Sequence, residues 1–190
     1  KFISYLSEPH RWEATDPELF HFLRKAVHQA GKREVSALVG SEIIPSARFV
    51  NTILDGSPTS RESWLDKTIA LAGPNTLVFF DPDNGLEVKS VSKGSRDAVK
   101  YLFWNEVEQV WSKGSSLLIY QHFTREDREI FLRRLADQFR RRLGARQVSV
   151  ARTANVAFFL VPQKDHAETL HRRAEQITAR WQGQIRIERL

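Results

Sequence analysis

Leu77-Val78-Phe79-Phe80 is a run of four apolar residues that stops abruptly at Asp81-Pro82-Asp83-Asn84-Gly85. Unbroken apolar character over this length suits a strand buried on both faces, as in a parallel sheet covered by helices. Pro82 has no N–H to give a sheet ladder, and Asn84-Gly85 favours a turn that visits positive φ. Two carboxylates and an amide therefore gather where a strand reaches the surface. In open α/β sheets this carboxyl end is the side on which ligands bind. The same residues also suit a polar turn in which Asp81 and Asn84 cap the backbone.

The flanking pattern supports an α/β chain. Asp16 as N-cap and Pro17 at the first helical position open a helix that Gly31 closes. Glu34 to Val39 reads as a short strand, and Ala47 to Leu54 suits either a helix or an extended segment. After the break at Asp55-Gly56-Ser57-Pro58, Thr59 and Glu62 have capping-box spacing for a helix from Ser60 to about Leu71. The central strand follows, then an exposed loop from Ser90 to Lys100 and a helix from Tyr101 to Ser112. Ser116 to Tyr120 forms a second buried strand that finishes on Gln121 and His122. A long helix starts at Thr124 with Asp127 and carries Ile130, Phe131, Leu135, Phe139 and Leu143 at helical spacing. Arg146 to Arg152 and Asn155 to Val161 make an antiparallel pair. Asp165 with Glu168 caps a last helix, and Gln184 to Glu188 alternates like an edge strand. The expected fold is a three-layer α/β domain over residues 1–190. Its sheet is mostly parallel and Rossmann-like, with an antiparallel C-terminal strand pair. The opening KFISYL reads as though a strand and loop preceded it.

Composition narrows the function classes. The 190 residues contain no cysteine, which removes disulfides, thiolate chemistry and cysteine-built zinc sites, and fits a reducing, cytoplasmic setting. No apolar run approaches a membrane span, so no membrane partner is expected. A formal charge of +6 favours polyanions such as nucleic acid. The positive charge concentrates between Arg125 and Arg146, where eight arginines meet four acidic residues, and Arg140-Arg141-Arg142 ends the long helix. That triplet suits either a solvated helix end complementing the helix dipole or a phosphate-contacting patch. No Walker-type loop or nucleophile elbow is present.

The order from Ser60 onward, with one strand ending DPDN and the next ending QHF, resembles the C-terminal half of a class I S-adenosylmethionine-dependent methyltransferase. The nearest relatives would be those acting on adenine N6. The local signature is Asp81-Pro82. The chain is also similar to a group of bacterial proteins that carry DPDNGLEVKS and the Tyr101-to-Glu106 segment, a likeness that implies no particular activity. The methyltransferase resemblance implies S-adenosylmethionine as cofactor. It further implies that Asp81 and the Pro82 carbonyl accept hydrogen bonds from a target amine. Asp83 and Asn84 would shape the pocket with His122 alongside, and Lys89, Arg140, Arg141 and Arg142 would contact an anionic substrate. The chain departs from the family motif where Asp83 replaces the second proline and Asn84 the aromatic that stacks on a flipped base. No glycine-rich cofactor turn is visible in the sequence.

Two other chemistries stay open. Glu87-Val88-Lys89 has the E-x-K spacing of metal-dependent nucleases; with Asp81 and Asp83, Glu87 would hold Mg²⁺ while Lys89 steadied developing charge. Alternatively, a methyltransferase scaffold without its stacking aromatic would serve as a non-catalytic nucleic-acid-binding module. His122 sits beside Asp81 only if the two apolar strands are neighbours; it then suits an acid, base or ligand role, or a structural hydrogen bond.

Overall fold

The computed structural model describes residues 3–29, 35–181 and 183–190. The chain divides into two compact units, Lys1–Asn51 and Thr52–Leu190.

The first unit is helical. A 3-10 turn, Ser4–Ser7, precedes α1 (Pro9–Trp12), a second 3-10 turn (Glu13–Thr15) and α2 (Pro17–Arg24). As its sequence predicts, α2 starts on Asp16, whose carboxylate accepts from the Leu19 N–H at 3.1 Å, with Pro17 at the first helical position. Leu6 and Phe20 are its buried apolar side chains. The short strand expected up to Val39 is instead a 3-10 turn, Val35–Leu38, held at its end by the Ser41 hydroxyl donating to the Leu38 carbonyl. A lone strand leaves both edges unpaired, and a turn satisfies them locally. Gly31 and Glu34 lie outside the described residues, and 47–54 has no regular structure.

The second unit carries the sheet. Its helix α3 (Pro58–Leu71) begins two residues earlier than the expected Ser60. Ser57 is the cap, with its hydroxyl accepting from the Ser60 N–H at 3.2 Å, and Pro58 takes the first helical position. Then follow β1 (Leu77–Phe80), the short β2 (Gly85–Leu86) and β3 (Tyr101–Leu102), α4 (Trp104–Ser112), β4 (Ser116–His122) and α5 (Arg128–Leu143). The chain closes with β5 (Ser149–Arg152), β6 (Val156–Val161), α6 (Ala167–Arg180) and β7 (Arg186–Arg189). Asp127 caps α5 through the Glu129 and Ile130 N–H groups, and Gly144 ends it at φ +65°.

Among the described residues the main sheet has five strands in the order β1-β4-β6-β5-β7. β1 and β4 are parallel, while β4·β6, β6·β5 and β5·β7 are antiparallel. The expectation of a mostly parallel sheet is corrected. β6 inserts between β4 and β5, so its reversed direction makes both of its pairings antiparallel, and β7 adds a third. The two apolar strands, whose adjacency the sequence left open, are neighbours.

Strand alternation separates two sheet faces. Phe80, Leu117, Ile119, Val150, Phe159 and Val161 are buried in the core with Leu65 of α3, Val107 of α4, and Phe131, Leu135 and Phe139 of α5. Phe139 stands at 4.9 Å from Trp104 and 5.4 Å from Phe159, measured between ring centroids. Burying a side chain of this size contributes about 1.5–3 kcal/mol. The opposite face receives the 3-10 turn Lys164–His166 at Ser116, through His166, and α6 at Ser149 and Arg189, through His171. The idea that β1 is buried on both faces is also corrected. β1 is an edge strand, and Leu77 and Phe79 are 43% and 51% exposed.

Candidate functional site at the carboxyl ends of β1 and β4

Parallel register pairs Phe80 with Ile119, so Asp81 to Asp83 continue alongside Tyr120 to His122. The two carboxylates therefore leave the sheet at the end where Tyr120 and His122 finish β4, and Tyr120 is near enough to feel both of them. Asp81 is exposed, and the partial loss of water around its carboxyl, reinforced by the neighbouring Asp83, raises it above its ordinary value. Burial also raises the Tyr120 hydroxyl, with Asp81 and Asp83 adding to the effect. The Tyr120 hydroxyl lies 3.0 Å from Nε2 of His122, with the two rings edge-to-face at 5.1 Å.

Gln121 fixes the loop that bears the carboxylates. Leu117, Ile119 and Gln121 share the core face of β4, and Gln121 is 4% exposed. Its amide oxygen accepts from the Leu86 N–H at 2.8 Å; its amide nitrogen donates to the carbonyls of Asn84 and His122 at 3.1 and 2.9 Å. Asn84 is further tied by its own N–H to the Lys100 carbonyl at 2.9 Å. Gly85 lies against this amide. At φ +104°, a Cβ there would come within 2.4 Å of the Gln121 side chain. Sequence reasoning noted Gln121 only as a polar strand end; its parity with Leu117 and Ile119 is the signal that marks it as buried.

Glu87 has a different partner from the one the nuclease spacing requires. Its carboxylate accepts from the Trp104 N–H at 2.7 Å and so caps α4. Among the described residues no group of three His, Asp or Glu side chains is placed to hold a metal ion, so Asp81, Asp83 and Glu87 are not brought together as one. Lys89 is exposed. Of the basic triplet, Arg140 donates to Asp137 and to the Leu190 carbonyl. Arg142 pairs with Glu108 at 3.0 Å and lies over the Trp104 ring, and Arg141 is exposed.

A second polar centre went unread in the sequence. Glu106 is fully buried and accepts from Arg61 through both carboxylate oxygens, at 2.5 and 2.8 Å, and from the Phe103 N–H at 2.9 Å. Arg61 also donates to the carbonyls of Ala98 and Tyr101, tying α3 to the segment that enters α4. Lys93 reaches the same carboxylate at 3.4 Å, beside a cavity of about 130 Å³ lined by Pro58, Glu62 and Leu65. Four hydrogen bonds from Arg61 thus join α3 to the start of α4 around one buried carboxylate. A Glu at the third position of a helix is the sequence signal for it.

In comparisons with protein-family models, curated proteins and solved structures, nothing matches this chain. Among the described residues no helix is long and apolar enough to cross a membrane.

Proposed function

We propose that this is a methyltransferase-like α/β protein whose β1/β4 strand ends hold an amino-bearing nucleobase. One observation carries the reading: Asp81 and Asp83 stand beside Tyr120 and His122 at adjacent parallel strand ends, on a loop locked by Gln121. An ionised carboxylate only accepts hydrogen bonds, so Asp81 and the Pro82 carbonyl select a donor such as the exocyclic amine of adenine or cytosine. The net charge of +6 favours a nucleic acid as the carrier of that base.

S-adenosylmethionine is the methyl donor this reading implies. The described residues supply no glycine-rich strand-to-helix turn for it; Gly85, the glycine in closest contact with a neighbour, is filled by the chain's own Gln121. The described residues do not build that cofactor site. A second reading, binding without transfer, is favoured by Asn84 in place of the stacking aromatic. The nuclease reading falls behind both because Glu87 caps α4. Incubating the protein and single-stranded oligonucleotides with methyl-labelled S-adenosylmethionine separates the first two. Label transferred to adenine or cytosine and lost in Asp81→Ala supports the enzyme. Amine-selective binding without label supports the module. Finding neither transfer nor amine-selective binding would contradict the base-binding site itself.

A further inference from the structure

The sheet face opposite the helical core is covered only in part, and its open part is aromatic. Register sets Tyr120 directly across from Phe158, with ring centroids 5.5 Å apart. Phe79 of the edge strand lies 6.4 Å from Phe158, and His122 extends the row beyond Tyr120. The side-chain hydrogen bonds that His166 and His171 make to this face fall on Ser116, Ser149 and Arg189, away from this row. Leu77 and Phe79 remain substantially exposed. Burial of apolar surface drives folding, so Leu77 and Phe79, left in water beside the half-buried rings of Phe158 and Tyr120, mark a candidate docking surface.

We propose that this face is a stacking platform for the bases of a single-stranded nucleic acid, with Phe79, Phe158 and Tyr120 as its rings. The proposal names the substrate class of the site above; it depends on that reading only for the amine contact at Asp81. Two features choose the occupant. Base π-faces stack on aromatic side chains without regard to sequence, and a single strand exposes them where a duplex does not. The chain's charge of +6 attracts the phosphate backbone and opposes a second copy of itself.

The test is fluorescence anisotropy of the full chain with labelled oligo(dC) and oligo(dU) of about twelve nucleotides. Phe79→Ala and Phe158→Ala are each expected to weaken both strands about tenfold, with the slope of log affinity against log salt unchanged. Asp81→Asn is expected to change only the ratio of the two affinities. Wild-type photocrosslinking to a bromouridine-containing strand should label peptides from 76–82, 116–122 or 156–161, whatever the variants' stability. The proposal is overturned by any of four results: no single strand is bound, a duplex binds as tightly, the Phe variants bind like wild type, or crosslinks fall wholly elsewhere. Sedimentation showing a dimer that Phe79→Ala disperses would assign the face to self-association and overturn it too. Weaker binding in the Phe variants with an unchanged dC/dU ratio in Asp81→Asn would keep the platform and discard the amine contact.

Discussion

Asp81 is where local electrostatics and the proposed chemistry meet. Its carboxyl is raised in the fold by burial and by Asp83, so the fold holds the proton more tightly than the unfolded chain does. Its contribution to stability is therefore full below the unfolded value and is lost as pH rises through the folded one. Because Asp81 is exposed and its charge is screened by solvent, Asp81→Asn is expected to raise the melting temperature only slightly at pH 7 and to leave it unchanged at about pH 3. An equal shift at both pH values would contradict this account. Asp97 and Glu126 have the opposite sign: partners lower their values, so their support is present at neutral pH and fades on acidification. Gly85 gives a second residue-scale prediction. Gly85→Ala combines a left-handed φ with a Cβ against Gln121. Its expected cost is at least about 2 kcal/mol in denaturant unfolding. A neutral effect would mean that the Gln121 clamp does not exist.

At the scale of elements, α3 and α4 are joined by a buried ion pair whose removal has an asymmetric cost. Glu106→Gln leaves the Arg61 guanidinium buried without its counter-charge and is expected to cost about 3–5 kcal/mol. Arg61→Met together with Glu106→Leu should recover most of that loss, which a double-mutant cycle by chemical denaturation measures. Additive losses would contradict a direct pair. The longer helices and strands from Pro58 to Val161 were legible because apolar periodicity and caps are local signals: α5 announces itself by Asp127 and its Phe131-Leu135-Phe139 spacing. The two-residue strands were not: β2 went unread, and Tyr101–Leu102, read as the start of a helix, is β3. Pairing was not legible. Nothing between Ser149 and Val161 says that β6, rather than β5, lies against β4. The exposure of β1 was hidden for a related reason: LVFF reads alike whether both faces meet helices or one faces a ligand. At the candidate site, Asp81 and His122 were legible because both end apolar strands. The caps and clamps were not. Glu87 meets Trp104 across 17 residues of sequence, and Arg61 meets Glu106 across 45.

For the molecule as a whole, the large buried cluster runs from Leu65 to Val161 and lies wholly within Thr52–Leu190. A chain beginning at Thr52 is therefore expected to melt as one cooperative transition in calorimetry, and a non-cooperative melt would contradict a self-contained core. In the proposed function the positive charge draws in a polyanion and the strand-end carboxylates read one base. The most direct test of that division compares wild type and Asp81→Asn in their affinities for oligo(dC) and oligo(dU), two pyrimidine strands that differ in the amine at C4. The account predicts that wild type prefers oligo(dC) by about tenfold and that Asp81→Asn binds the two alike. Equal affinities in wild type, or a preference that survives Asp81→Asn, would contradict it.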